Sequence, residues 1–145
     1  MATRRVFLSL FLLLQLILFV SLSFALRPAP SRQQCGGPAD IVVTQRPTGR
    51  VVEGKAEYAV AVQNRCRGCA QSAVVLRCFG LSSVEPVDTA AIRPLDGDGG
   101  EDCVVAGGRT LPPADAIGAA AAPVRFTYAW MTPQDFPVIS TKVHC

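Results

Sequence analysis

Glu57-Tyr58-Ala59-Val60-Ala61-Val62-Gln63 alternates with a period of two. Tyr58, Val60 and Val62 fall on one face of an extended strand, and alanines on the other face predict close packing there rather than open solvent. Working outward, further strands are expected at residues 41–45, 73–78, 103–106, 124–130 and 138–143, with weaker ones around Val51-Val52 and 87–92. Pro47-Thr48-Gly49, residues 93–100, Gly107-Gly108, Pro112-Pro113 and Thr132-Pro133 separate them. Short strands punctuated in this way predict an all-β domain, a β-sandwich or a small barrel. Residues 115–122 are the only stretch of helix-forming composition. Gly118 weakens it and Pro123 ends it, so an alanine-rich loop is expected.

Six cysteines, Cys35, Cys66, Cys69, Cys78, Cys103 and Cys145, lie behind an apolar leader. Arg4 and Arg5 form its positive start, residues 6–20 are apolar save for Ser9 and Gln15, and Ser23-Phe24-Ala25 offers small residues where signal peptidase inspects. Residues 1–25 therefore read as a signal peptide, 26–34 as an N-terminal linker and 35–145 as one cysteine-rich β domain. An uncleaved anchor is the competing reading, since residues 6–25 are long enough to span a bilayer. The small-residue site favours cleavage, secretion and no membrane attachment afterwards.

Secretion places the thiols in an oxidising compartment, where they pair. Each disulfide adds roughly 2–4 kcal/mol, comparable with the whole stability margin of a small domain. Six cysteines allow fifteen pairings, and spacing does not choose among them. A bridge within Cys66-Arg67-Gly68-Cys69 would close a tight ring and gain little chain entropy, so each of these two is expected to reach a distant partner. Redox chemistry at this C-x-x-C would need a helix N-terminus, whereas β-type runs flank it. Zinc would need a second ligand pair, but Cys78 is solitary and the only histidine, His144, adjoins Cys145. The reading is structural disulfides and no metal.

Arg4 and Arg5 leave with the leader, so 14 basic residues become 12 against 11 acidic ones. Such a balance lacks the clustered positive face that nucleic acid requires. Residues 96–102 gather four carboxylates but lack the ligand register of an EF-hand, and read as a solvated turn. No G-x-S-x-G, phosphate-cradling loop or H-E-x-x-H is present, so neither an enzyme nor a cofactor is expected. Asn64 is the only asparagine and lies in no glycosylation sequon.

The ordered pieces carry a resemblance. Asp40-Ile41-Val42-Val43-Thr44-Gln45 follows Cys35, and the alternating strand continues through Asn64-Arg65-Cys66. Cys78-Phe79-Gly80-Leu81-Ser82-Ser83-Val84-Glu85-Pro86 comes next, then Glu101-Asp102-Cys103-Val104-Val105-Ala106-Gly107-Gly108. Val124-Arg125-Phe126-Thr127-Tyr128-Ala129-Trp130, Phe136-Pro137-Val138 and Lys142-Val143-His144-Cys145 close the chain. Together they resemble the plant tapetum-determinant family of small secreted cysteine-rich proteins, with all six cysteines in order. The resemblance implies an apoplastic ligand that binds the leucine-rich-repeat ectodomain of a receptor kinase. In that family such binding directs tapetal cell fate in the anther and limits the number of sporogenous cells. Departures fall in loops, at Ala106-Gly107-Gly108, residues 119–122 and residues 130–134, where partner contacts usually reside.

Arg65 and Arg67, beside the paired cysteines, and Trp130 are the candidate receptor contacts, being of the types most often found as interface anchors. The alternative is a wall carbohydrate-binding module without catalysis, for which Tyr58, Phe79, Phe126, Tyr128, Trp130 and Phe136 would supply stacking faces. Period-two placement instead puts Tyr58, Phe126 and Tyr128 in the core, while Trp130, beside Met131 and two prolines, is expected to be partly exposed. N-terminal sequencing of secreted protein is expected to begin at Leu26, and thiol labelling of the unreduced, folded chain to find nothing. A reactive thiol would contradict three bridges.

Overall fold

The structure, a computed structural model, describes residues 15–17, 35–95 and 100–145. The chain divides into two units, Met1–Arg32 and Gln33–Cys145. In the first, residues 15–17 are helical. The remainder of the expected leader, the linker, and residues 96–99 of the acidic turn lie outside the described residues. Among the described residues no helix is long and apolar enough to cross a membrane.

The second unit is built from antiparallel strands in two sheets. Strands β1 (Ile41–Val52), β2 (Lys55–Asn64) and β6 (Val124–Trp130) form a three-stranded sheet in the order β1-β2-β6. Strands β3 (Ala70–Arg77), β4 (Ile92–Pro94), β5 (Asp102–Val105) and β7 (Val138–His144) form a four-stranded sheet in the order β4-β5-β3-β7. The expected all-β class holds, in its sandwich form. Ile41, Val60, Val62, Phe126 and Tyr128 of the first sheet meet Val74, Leu76, Ile92 and Val105 of the second in one buried cluster.

Aromatic rings fill the centre of that cluster. Tyr58 stacks on Tyr128 with ring centroids 5.3 Å apart, and Phe136 stands edge-on to Phe126 and Tyr128 at 5.6 and 5.8 Å. The Tyr128 hydroxyl donates to Gln45 Oε1 at 2.5 Å and accepts the Gln134 N–H at 2.7 Å. Burial pushes this phenol above its usual value, with the Gln134 hydrogen bond pulling the other way. The hydroxyl is thus satisfied, as a buried phenol must be.

Three local expectations are corrected. Pro47-Thr48-Gly49 does not separate strands: β1 runs through it, with an irregularity in register between Pro47 and Val51. An edge strand tolerates a proline, whose missing N–H would have faced outward. Val51-Val52 is therefore the end of β1, and Glu53-Gly54, both at positive φ (47° and 74°), returns the chain to Lys55 in a two-residue hairpin. Residues 87–91 are not strand, and residues 89–91 form a turn. Asp88 Oδ1 accepts the Ala90 N–H at 2.8 Å, and its carbonyl accepts those of Ala91 and Ile92 at 3.0 Å. Only Ile92 joins β4, which runs on into the stretch expected to be loop.

The alanine face of β2 is the third correction. Its Glu57 end is covered, for Glu57 and the opposing Ala129 are buried. Thr48 Oγ1 donates to Glu57 Oε2 at 2.6 Å, and Arg50 bridges Glu57 at 3.1 Å and Glu85 at 2.9 Å. Beyond that cluster, Ala59 and Ala61 are only partly buried.

All six cysteines pair, as Cys35–Cys66, Cys69–Cys145 and Cys78–Cys103. Cys66 and Cys69 do each reach a distant partner. Cys78–Cys103 is buried beside the β3–β5 ladder, and Cys69–Cys145 closes the largest ring, across 76 positions. Because His144 pairs with Ala70, that last bridge locks the end of β7 to the start of β3. Cys145→Ser is expected to cost about 2–5 kcal/mol in thermal or denaturant unfolding, and Cys69→Ser the same amount. An unchanged transition would show that β7 holds without its bridge.

Candidate functional site

Asn64 ends β2 and Ala70 begins β3, so the chain changes sheets within the loop Arg65-Cys66-Arg67-Gly68-Cys69. One buried amide organises it. Asn64 Oδ1 accepts the Cys66 N–H at 2.9 Å and Gln71 Nε2 at 3.1 Å, while Asn64 Nδ2 donates to the Cys69 carbonyl at 2.9 Å. Both cysteines of the C-x-x-C are thus held from beneath by a single side chain. Gly68 takes φ +76°, a left-handed value that strains any residue with a Cβ.

Neighbouring segments strap the loop from outside. The Gly68 N–H donates to Asp115 Oδ1 at 2.9 Å, the Ala114 N–H to the Cys66 carbonyl at 2.8 Å, and the Arg65 N–H to the Asp40 carbonyl at 2.7 Å. Gln71 and Leu111 exchange both main-chain hydrogen bonds, at 3.0 and 2.6 Å. A shallow cavity of about 140 Å³ lies between Asn64, Arg65, Pro113 and Pro123. Gln71 Oε1 is buried without a donor among the described residues, a cost of this arrangement.

The two bridges at the loop lie side by side, with the sulfurs of Cys35, Cys66 and Cys69 within 4.8 Å of one another. Such a cluster would ligate a metal only as thiolates, and here each sulfur is bonded to another. Arg65 and Arg67 stand exposed on this rigid knuckle, and neither joins the ion pairs formed among the described residues.

Trp130 is elsewhere. It pairs with Ala56 at the start of β2, whereas Arg65 follows the strand's end, so about 30 Å of strand separates them. Trp130 is half-buried against the core, and Met131 beside it is exposed. The structure brings Arg65 and Arg67 together and leaves Trp130 at the far end of the sandwich. Of the proposed stacking faces, Tyr58, Phe126, Tyr128 and Phe136 belong to the core packing. Among the described residues Phe79 alone of the aromatics is exposed, at 62%.

His144 Nε2 lies 2.6 Å from Ser72 Oγ on open sheet surface. Among the described residues no hydrogen bond orients its other ring nitrogen, so the pair lacks the third group that aligns a base for a nucleophile. Asn64, considered above only as a glycan acceptor, turns out to organise the loop. An asparagine two residues before a C-x-x-C, poised to receive the first cysteine's N–H, was the available signal.

A protein-family model described as Tapetum determinant 1, C-terminal, matches residues 37–145. That span contains the loop, both sheets and five of the six cysteines. Comparison with curated proteins and with solved structures returned no match.

Asn64→Ala would leave the Cys66 N–H, the Cys69 carbonyl and the Gln71 amide short of partners in a dry setting. The expected loss is about 2–3 kcal/mol on unfolding, with faster hydrogen exchange at the Cys66 amide. Wild-type exchange at that amide would show that the bridges alone hold the loop.

Proposed function

The chain belongs to the tapetum-determinant family, and from that premise we propose that it is a secreted signalling ligand acting without catalysis. Its partner is the leucine-rich-repeat ectodomain of a plant receptor kinase, and its setting is anther and tapetum cell-fate specification with control of sporogenous cell number. The observation that carries this reading is the family match across the disulfide-stapled domain. Three bridges suit an extracellular, apoplastic protein.

The physical build supports the reading. A leucine-rich-repeat solenoid presents an extended concave surface. A loop fixed by two bridges, one amide and three outer hydrogen bonds loses little ordering entropy when it docks there. Arg65 and Arg67 are already displayed on it, and unpaired guanidinium groups suit carboxylates on a partner. Trp130 serves a second contact at the opposite end, if the receptor spans the length of the sandwich. The carbohydrate-binding alternative gains no support from the aromatic side chains, most of which are spent on the core.

The test is titration of the purified secreted chain against a panel of plant leucine-rich-repeat ectodomains, with Arg65→Ala, Arg67→Ala and Trp130→Ala alongside. Binding to at least one ectodomain is expected, weakened about 10-fold or more by Arg67→Ala, the weight of an interface anchor. Binding to none, or tighter binding to a wall polysaccharide, would overturn the assignment. Binding indifferent to all three substitutions would remove only these contacts.

A further inference from the structure

The outer face of the three-stranded sheet carries a patterned cationic surface. Residues Thr44 and Arg46 of β1 sit opposite Ala61 and Ala59 of β2, which in turn sit opposite Arg125 and Thr127 of β6. One row across the sheet therefore reads Arg46–Ala59–Thr127 and the next Thr44–Ala61–Arg125. Each flanking strand offers a guanidinium and a hydroxyl two residues apart on the same side. The two couples lie two strand spacings apart, about 10 Å, with only alanine methyl groups between them.

This face is open and keeps a net positive charge, two arginines against the one exposed carboxylate of Asp88. Arg46 and Arg125 are exposed and join none of the ion pairs formed among the described residues. The nearby carboxylates of Glu57 and Glu85 are already committed to Arg50. A depression of about 410 Å³ runs from Arg46 over Ala59 to Arg125 and Thr127, with Pro86 and Asp88 on its rim. Its boundary has a physical cause. Residues 83–84 bond to Ala129 on the edge of β6, through Ser83 Oγ at 3.1 Å and the Val84 N–H at 3.0 Å. Pro86 then lacks the N–H needed to continue that pairing, and the segment leaves β6 uncovered at Arg125–Thr127.

We infer that this Arg46/Arg125 face is a docking surface for an acidic strip of the receptor ectodomain, one that places two carboxylates about 10 Å apart. The inference rests on the ligand reading above and adds the surface that reading does not name. Each carboxylate is received by one arginine, which can fork to both its oxygens; Thr127 offers a further donor beside Arg125, whereas the Thr44 hydroxyl already donates to the Ala61 carbonyl at 3.4 Å. The alanine floor admits close approach of the partner's backbone. Arg65, one residue past β2 and in phase with Ala59 and Ala61, extends the same positive side toward the cysteine loop. A protein strip fits better than a sugar chain, because the floor holds no exposed aromatic ring.

The experiment compares the full secreted chain, R46A, R125A, R46A/R125A and the charge-matched control R93A/K142A, whose exposed cations lie on the other sheet. Each is titrated against the ectodomain panel at low and physiological salt, and against polygalacturonate. Among the described residues the Arg46 and Arg125 side chains form no ion pair, so unchanged thermal unfolding of the variants serves as the folding check. R46A/R125A is expected to lose about 10- to 100-fold in ectodomain affinity and most of its salt dependence, while the control keeps both. Equal affinity of R46A/R125A and wild type would overturn the face and leave the ligand reading intact. Equal losses in the control would overturn it as general charge attraction. Wild-type binding to no ectodomain would overturn both the reading and the face. Arginine-dependent binding to polygalacturonate in preference to any ectodomain would overturn the occupant.

Discussion

Both ends of the domain are tied to one short loop, and the rest of the structure depends on that constraint. Cys35, just before the first strand, bonds to Cys66, and Cys145, just after the last, bonds to Cys69. The loop between is also the first of three points where the chain passes from one sheet to the other. Two bridges at one crossing thus fix the relative position of β1, β2, β3 and β7. The third bridge, Cys78–Cys103, works within the second sheet. Crossing the sheets at a fixed point allows a core of modest size to hold a single arrangement.

Covalent bonds alone would leave the buried Cys66 N–H and the partly buried Cys69 carbonyl unpaired. Asn64 answers that by offering an acceptor and a donor to the two cysteines at once. Its carbonyl is shared with Gln71, whose own main chain is engaged with Leu111. The loop surface is therefore polar and charged, while its foundation is a saturated hydrogen-bond network with one open acceptor at Gln71. Pre-organisation of this kind suits recognition by a rigid partner, since little disorder remains to be lost.

Much of the fold was legible because burial writes a period of two into a strand. Val124–Trp130 appeared with its true bounds, and β2, β3, β5 and β7 to within a few residues, for their inward positions are apolar and their ends punctuated. What was illegible came from local chemistry that outweighs composition. Pro47 looked like a break but lies on an edge, where a missing N–H costs nothing; Asp88 drew its neighbours into a turn despite their apolar character. Glu57 was unremarkable in sequence, and only the fold sets Thr48 and Arg50 against it. The candidate loop could be found from its cysteines, whereas its pairing could not, because proximity of sulfurs is a property of the folded chain. The face bearing Arg46 and Arg125 was hidden for a similar reason: residues nearly eighty apart become near neighbours only through the register of β2.

The hairpin at Glu53-Gly54 and the twin bridges lie at opposite ends of the sandwich. Chain order is consequently almost arbitrary to this architecture. A circularly permuted protein, joining residue 145 to residue 35 by a few flexible residues and opening between Glu53 and Gly54, retains every strand neighbour and all three crosslinks. Its new termini emerge far from the cysteine knuckle, so a fluorophore or a surface anchor can be attached there while the arginine-bearing loop stays unencumbered.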